Sequence, residues 1–109
     1  MGLTPTIGRL VHYTLSSADA DQINRRRTTG DSIRARLKVA GEPRWPEGAQ
    51  AHIGTPVVEG EIFPMLIVRL TEALNVVNGK VFLDGTDTLW VQAAAVGVGP
   101  GHWEWPRLG

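Results

Sequence analysis

Val76-Val77-Asn78-Gly79-Lys80-Val81-Phe82-Leu83-Asp84-Gly85-Thr86-Asp87-Thr88-Leu89-Trp90-Val91-Gln92-Ala93-Ala94-Ala95-Val96 is two β-prone runs around an Asp-Gly turn. Residues 76–83 and 88–96 read as the arms of a hairpin, with Asp84 to Asp87 as its turn. Asn78-Gly79 inside the first arm marks a bulge or a turn. Trp90, on the second arm, is expected in the core. Upstream, Phe63 to Leu70 is a nearly continuous apolar run, the pattern of a strand buried on both faces. Downstream, Gly97 to Gly101 forms a loop before His102-Trp103-Glu104-Trp105-Pro106. Alternation there puts Trp103 and Trp105 on one face and His102 and Glu104 on the other.

The N-terminal third supplies one more strand and a helical segment. In residues 7–15, Ile7, Arg9, Val11, Tyr13 and Leu15 share one face, which is the mostly apolar one. Ser16 is a good helix N-cap, and Asp19, three residues on, completes a capping box. Asp19 and Asp21 near the start and Arg25, Arg26 and Arg27 near the end complement the helix dipole. Thr28-Thr29-Gly30 reads as the stop. A second short helix is expected from Asp31 to about Val39. Residues 40–61 are broken by Gly41, Pro43, Pro46, Gly48, Gly54, Pro56 and Gly60 into a long loop, with a short strand expected at 56–58.

These elements make one domain over residues 1–109: a strand at 7–15, a helical basic insertion at 16–39, a loop at 40–61 and a β-rich part at 62–106. The fold class is mainly β (α+β). The expected architecture is a small SH3-like antiparallel barrel with a helical insertion after the first strand. An open antiparallel sheet covered by the helix is the alternative.

Composition narrows the function classes. The 42% hydrophobic content excludes general disorder. The absence of cysteine excludes disulfides, thiolate metal sites and a cysteine nucleophile. No apolar run approaches the roughly 18–20 residues that span a bilayer, and the first residues lack the basic and apolar regions of a signal peptide. An intracellular protein with no membrane partner is expected.

Charge is unevenly spread. Asn24 to Arg44 holds seven of the eleven basic residues against two acidic ones, Asp31 and Glu42. That segment carries an excess of +5 in a chain that is formally neutral, so the remainder carries −5. Arginine presents a planar fork of donors that matches phosphate or carboxylate. Arg25, Arg26 and Arg27 are therefore the leading ligand-binding candidates, with Asn24 as an added hydrogen-bonding group. His12, Trp45 and His52 complete the candidate set. Trp45, in the proline-rich loop, is suited to stacking on a planar ligand such as a purine. The plain alternative is a solvated helix end whose arginines answer the dipole. The separations of His12, His52 and His102 carry no metal-ligand signature, so neither a metal nor a cofactor is expected. No Ser–His–Asp set, P-loop or dinucleotide fingerprint can be assembled, and the chain is read as a non-enzyme.

Several strings occur together: Pro5 to Leu15, Gln22-Ile23-Asn24-Arg25-Arg26-Arg27, His52-Ile53-Gly54-Thr55, Gly60 to Arg69, Val77 to Trp90, and Pro100-Gly101-His102-Trp103-Glu104-Trp105-Pro106. In combination they resemble a group of small proteins encoded by tailed phages, particularly phages of actinobacteria. The resemblance implies a viral origin and a place in the host cytoplasm or the virion. It carries no catalytic or binding residues with it. Three functions fit these expectations. The first is a phage-encoded binding protein that sequesters a nucleotide-derived anionic ligand to counter host defence, working as a homo-oligomer. The second is a virion or capsid decoration protein. The third is a nucleic-acid-binding accessory protein, against which the near-neutral pI of 6.8 argues.

Overall fold

Two local signals place the helix. In a computed structural model, which describes residues 4–27 and 53–106, α1 runs Ser17–Arg26. Asp19 N–H donates to Ser16 Oγ, and Asp19 Oδ2 accepts from Ser16 N–H, so the capping box is complete. The same Oδ2 accepts from the Tyr13 hydroxyl at 2.5 Å, which ties the helix start to the first strand. Arg27 leaves the helix in an extended conformation, earlier than the expected stop at Thr28 to Gly30. The second helix expected at 31–39 lies outside the described residues.

The strands are β1 (Leu10–Thr14), β2 (Ile62–Leu70), β3 (Val76–Phe82), β4 (Thr88–Ala95) and β5 (Trp103–Glu104). They form one antiparallel sheet in the order β4-β3-β2-β1-β5. The sheet curls into a half-barrel, an SH3-like arrangement with α1 inserted after β1. Its far ends meet where Val96 bridges Trp103 in parallel and Gly97 N–H donates to the Trp103 carbonyl at 2.9 Å. The Trp103 indole donates to the Asn75 carbonyl at 3.1 Å, fastening β5 to the β2–β3 turn.

Two irregularities bend the sheet, and both flank Asn78-Gly79. From Ile67 to Arg69, β2 advances two residues while β3 moves one, from Gly79 to Asn78. From Val91 to Ala94, β4 advances three while β3 moves two. The extra residues therefore sit in the partner strands, not in the Asn-Gly pair itself. Ala93 takes a positive φ of 57°, and its N–H donates to Asn78 Oδ1 at 2.8 Å. Gly79 is required for a separate reason. A Cβ there would lie 2.6 Å from Met65 Cγ and 2.9 Å from the Leu66 carbonyl, so Met65 uses the space over Gly79.

The core fills the concave side. Val11, Tyr13 and Leu15 of the first strand region meet Met65, Ile67, Val77, Val81, Leu89 and Trp103, and Ala20 and Ile23 of α1 close over them with Val57. Trp103 is fully buried, and Trp105 packs edge-on against it, with Arg9 over the Trp105 ring.

Several expectations need correction. Trp90 is half exposed, because Leu89 and Val91 take the inward positions on β4. The apolar run of β2 is buried on one face: Met65 and Ile67 point inward, while Ile62, Val68 and Leu70 are exposed. The first strand starts at Leu10, since Gly8 takes a positive φ and leaves Ile7 exposed. Residues 56–58 form no strand, although Val57 is buried. No helix among the described residues is long and apolar enough to cross a membrane.

Burial, reinforced by the hydrogen bond and charge of Asp19, holds the Tyr13 phenol far above the ordinary tyrosine range. Its contribution to stability is complete below the ordinary tyrosine value of about 10. It is lost as the pH rises beyond that, because the unfolded chain ionises while the folded chain does not. Wild-type melting temperature should fall more steeply above about pH 10 than that of Tyr13→Phe. Tyr13 is the single tyrosine, so tyrosinate absorbance during unfolding reads it directly. Equal slopes for the two proteins would show that Tyr13 is not protected.

Candidate functional site

The C-terminal end of α1 places three of the candidate side chains on one neighbourhood of the fold. Ile23 is buried, which fixes the rotation of the helix on the core. Asn24 then faces the 53–61 loop. Its Nδ2 donates to the Val57 carbonyl and its Oδ1 accepts from the Val57 N–H, both at 2.8 Å. This reciprocal pair satisfies a backbone segment that has no strand partner of its own.

Arg26 and Arg27 reach the opposite wall, the turn between β3 and β4. Arg27 Nη1 donates to Asp87 Oδ1. Arg26 Nη1 donates to the Thr88 carbonyl at 3.3 Å, and its Nη2 lies 3.3 Å from Asp87 Oδ2. The Arg27 side chain is 4% exposed and that of Asp87 3%, against 28% for Arg26. The Arg27 guanidinium lies against an isolated antiparallel bridge between Gly54 and Gly85. A Cβ on Gly54 would come within 2.5 Å of Arg27 Nη1, and one on Gly85 would clash with the same atom. Both glycines thus leave the space that the arginine occupies. Thr55 N–H to the Asp84 carbonyl at 3.1 Å and Thr86 N–H to the Ile53 carbonyl at 2.9 Å hold the bridge in place.

The electrostatics of this cluster do not balance. Two guanidiniums share one carboxylate. Arg27 Nε and Nη2 and Arg26 Nε are buried and have no hydrogen-bond partner among the described residues. The Arg26–Asp87 pair is an ionic contact without an aligned hydrogen bond, since among the described residues neither Arg26 Nη2 nor Asp87 Oδ2 has a hydrogen-bond partner. Buried guanidinium donors without acceptors are costly. The adjoining recess of about 310 Å³ is lined by Glu61 and Asp84 among others, so its charge opposes an anion. The side that carries the exposed Arg25 and the partly exposed Arg26 favours one.

His12 does not join the arginines. It sits on the outer face of β1, paired in register with Pro64 and with Glu104, and lines an open pocket of about 410 Å³ with Thr14, Ile62 and Pro100. Trp45 and His52 lie outside the described residues. His102 Nδ1 lies 3.3 Å from the Ala95 carbonyl, a contact within the β4–β5 closure. Among the described residues no group of three or more His, Cys, Asp or Glu side chains is arranged to hold a metal ion.

Asp87, Gly54 and Gly85 were not legible as parts of this site. Gly85 and Asp87 read as turn residues and Gly54 as a breaker in a long loop, and Asp87 lies 60 residues from Arg27 in sequence. The one signal available was the surplus of arginine at 25–27, which demands a buried acid somewhere if any of the three is drawn inside.

Asp87→Asn should be strongly destabilising, because it removes the one carboxylate that pairs with both guanidiniums among the described residues. The expected loss is about 3–5 kcal/mol, measured by urea unfolding. Arg25→Ala, on an exposed side chain, should stay within about 0.5 kcal/mol of wild type. A wild-type unfolding midpoint for Asp87→Asn would mean that the carboxylate does not anchor the cluster.

No protein-family model, no curated protein and no solved structure matches the chain. What the site can bind is a question for its own charges and shape.

Proposed function

We propose that this is a non-enzymatic binding protein that takes a compact, nucleotide-derived anion at the C-terminal end of α1. Two guanidiniums sharing one carboxylate carry this reading, since among the described residues Asp87 is the one acid paired with them and several of their buried donors have no acceptor. In this reading Arg27 and Asp87 form a fixed cationic floor, and Arg26 and Arg25 contact the ligand. A guanidinium already held by Asp87 and by the Thr88 carbonyl loses little further freedom when it receives a phosphate. The resemblance to small tailed-phage proteins supports a host-cytoplasmic role in which the bound anion is a defence signal withdrawn from use.

Burial also favours a compact ligand over a nucleic-acid backbone. A phosphate chain is read by cations spread over an open surface. Here the Arg27 side chain is inside, and Asn24 is occupied by Val57.

Melting the full chain against cyclic dinucleotides, ADP-ribose derivatives and inorganic pyrophosphate tests the proposal. A ligand at about 100 times its Kd stabilises by about 2.7 kcal/mol, which should raise Tm by several degrees. Arg26→Ala should abolish the rise and Arg25→Ala should reduce it. Unchanged melting across the whole panel would sink the proposal.

A further inference from the structure

Trp90 stands half exposed, and its neighbours are those of a stacking platform. It follows Thr88 on β4 by two residues, so the two share the outer face. Register sets Lys80 of β3 opposite Trp90, and Phe82 opposite Thr88. Phe82 is therefore the diagonal neighbour of Trp90, a separation within reach of aromatic side chains. Trp90 is 51% exposed and Phe82 42%, and Lys80 is exposed as well. This end of the β3–β4 hairpin thus presents two rings to solvent, with a cation opposite one of them.

The same strand anchors the arginine cluster. Arg26 Nη1 donates to the Thr88 carbonyl at 3.3 Å, and the Arg26 side chain is 28% exposed. From Thr88 to Trp90 the strand advances about 7 Å. Among the described residues β4 is the last strand of the sheet, so no further strand stands beside it there. A separation of this order is what a ribose puts between its base and its phosphate. A single exposed apolar residue needs no explanation. A tryptophan and a phenylalanine side by side, with a guanidinium held two residues along the same strand, form the composition that takes a planar ring and a phosphate together.

We infer that the anion taken by the arginine cluster carries a nucleobase, which stacks on Trp90 while its phosphate lies on Arg26. The inference rests on the proposed anion site and adds the other half of its ligand. Trp90 is the specificity residue: it favours a nucleotide over an inorganic phosphate. Phe82 extends the apolar platform, and Lys80 supplies a second cation beside the ring. Stacking uses the π-face that every base has, so the preference among bases is small.

Titration calorimetry of the full chain with ADP and with inorganic pyrophosphate tests it, since the two probes differ by the adenosine. ADP should bind about tenfold or more tighter than pyrophosphate. Trp90→Ala, at an exposed position, should keep the wild-type circular dichroism and lose that margin, with pyrophosphate binding unchanged. Trp90→Phe should retain most of it. Arg26→Ala should weaken both probes together, a split that a merely structural role for Trp90 would not produce. ADP should also quench tryptophan fluorescence in wild type more than in Trp90→Phe. If pyrophosphate binds and ADP binds no tighter, or if Trp90→Ala leaves the margin intact, the inference falls and the anion site stands. If neither probe binds, the anion site fails and the inference fails with it.

Discussion

The Arg27–Asp87 pair is where three separate parts of the chain become one structure. Arg27 ends the helix, Asp87 ends the β3–β4 turn, and the Gly54–Gly85 bridge lies against the guanidinium. Without this contact α1 would be held by Ala20 and Ile23 in the core, by the Tyr13–Asp19 bond at its start and by Asn24 on Val57. A buried ion pair is a poor source of net stability, because removing both charges from water costs about what their attraction returns. Its effect is directional. A fork of donors meeting one carboxylate through a gap shaped by two glycines admits few alternative placements of the helix end.

That geometry also accounts for the surplus charge. Asp87 can neutralise one arginine, and the fold draws in most of a second. Arg26 then has its Nη1 on a backbone carbonyl, its Nη2 near Asp87 and its Nε with no acceptor among the described residues. A helix end that only needed to complement its dipole would leave its arginines in solvent, where the effect is worth a fraction of a kcal/mol. Drawing two of them inward beside a single acid is a costly arrangement for stability alone. Under the proposed function it would suit an anion whose charge completes the set.

The parts of this fold that were legible in sequence are those fixed by near neighbours. Ser16 and Asp19 are three residues apart, and the capping box follows from that spacing. The β3–β4 hairpin follows from alternation on either side of Asp84-Gly85. The parts that were not legible depend on distant partners. Arg25, Arg26 and Arg27 are identical in type, yet one is exposed and one has an almost wholly buried side chain, and what distinguishes them is distant in sequence: Asp87, the Thr88 carbonyl and the gap left by Gly54 and Gly85. Trp90 shows a different limit. Both faces of β4 carry apolar residues, so periodicity gives two consistent assignments. The choice falls to Leu89 and Val91 because the register with β3 sets them beside Val81 and Gly79, whose strand faces Met65 and Ile67.

The same limit bears on β2. Its composition is that of a strand with a hydrophobic layer on each side, and within one chain it has a layer on one side. Ile62, Val68 and Leu70 are exposed and Leu66 is half-buried, so among the described residues nothing packs fully over this side of β2. Substituting polar residues at those positions would be nearly free for an isolated chain, since surface changes of that kind lie within about 0.5 kcal/mol.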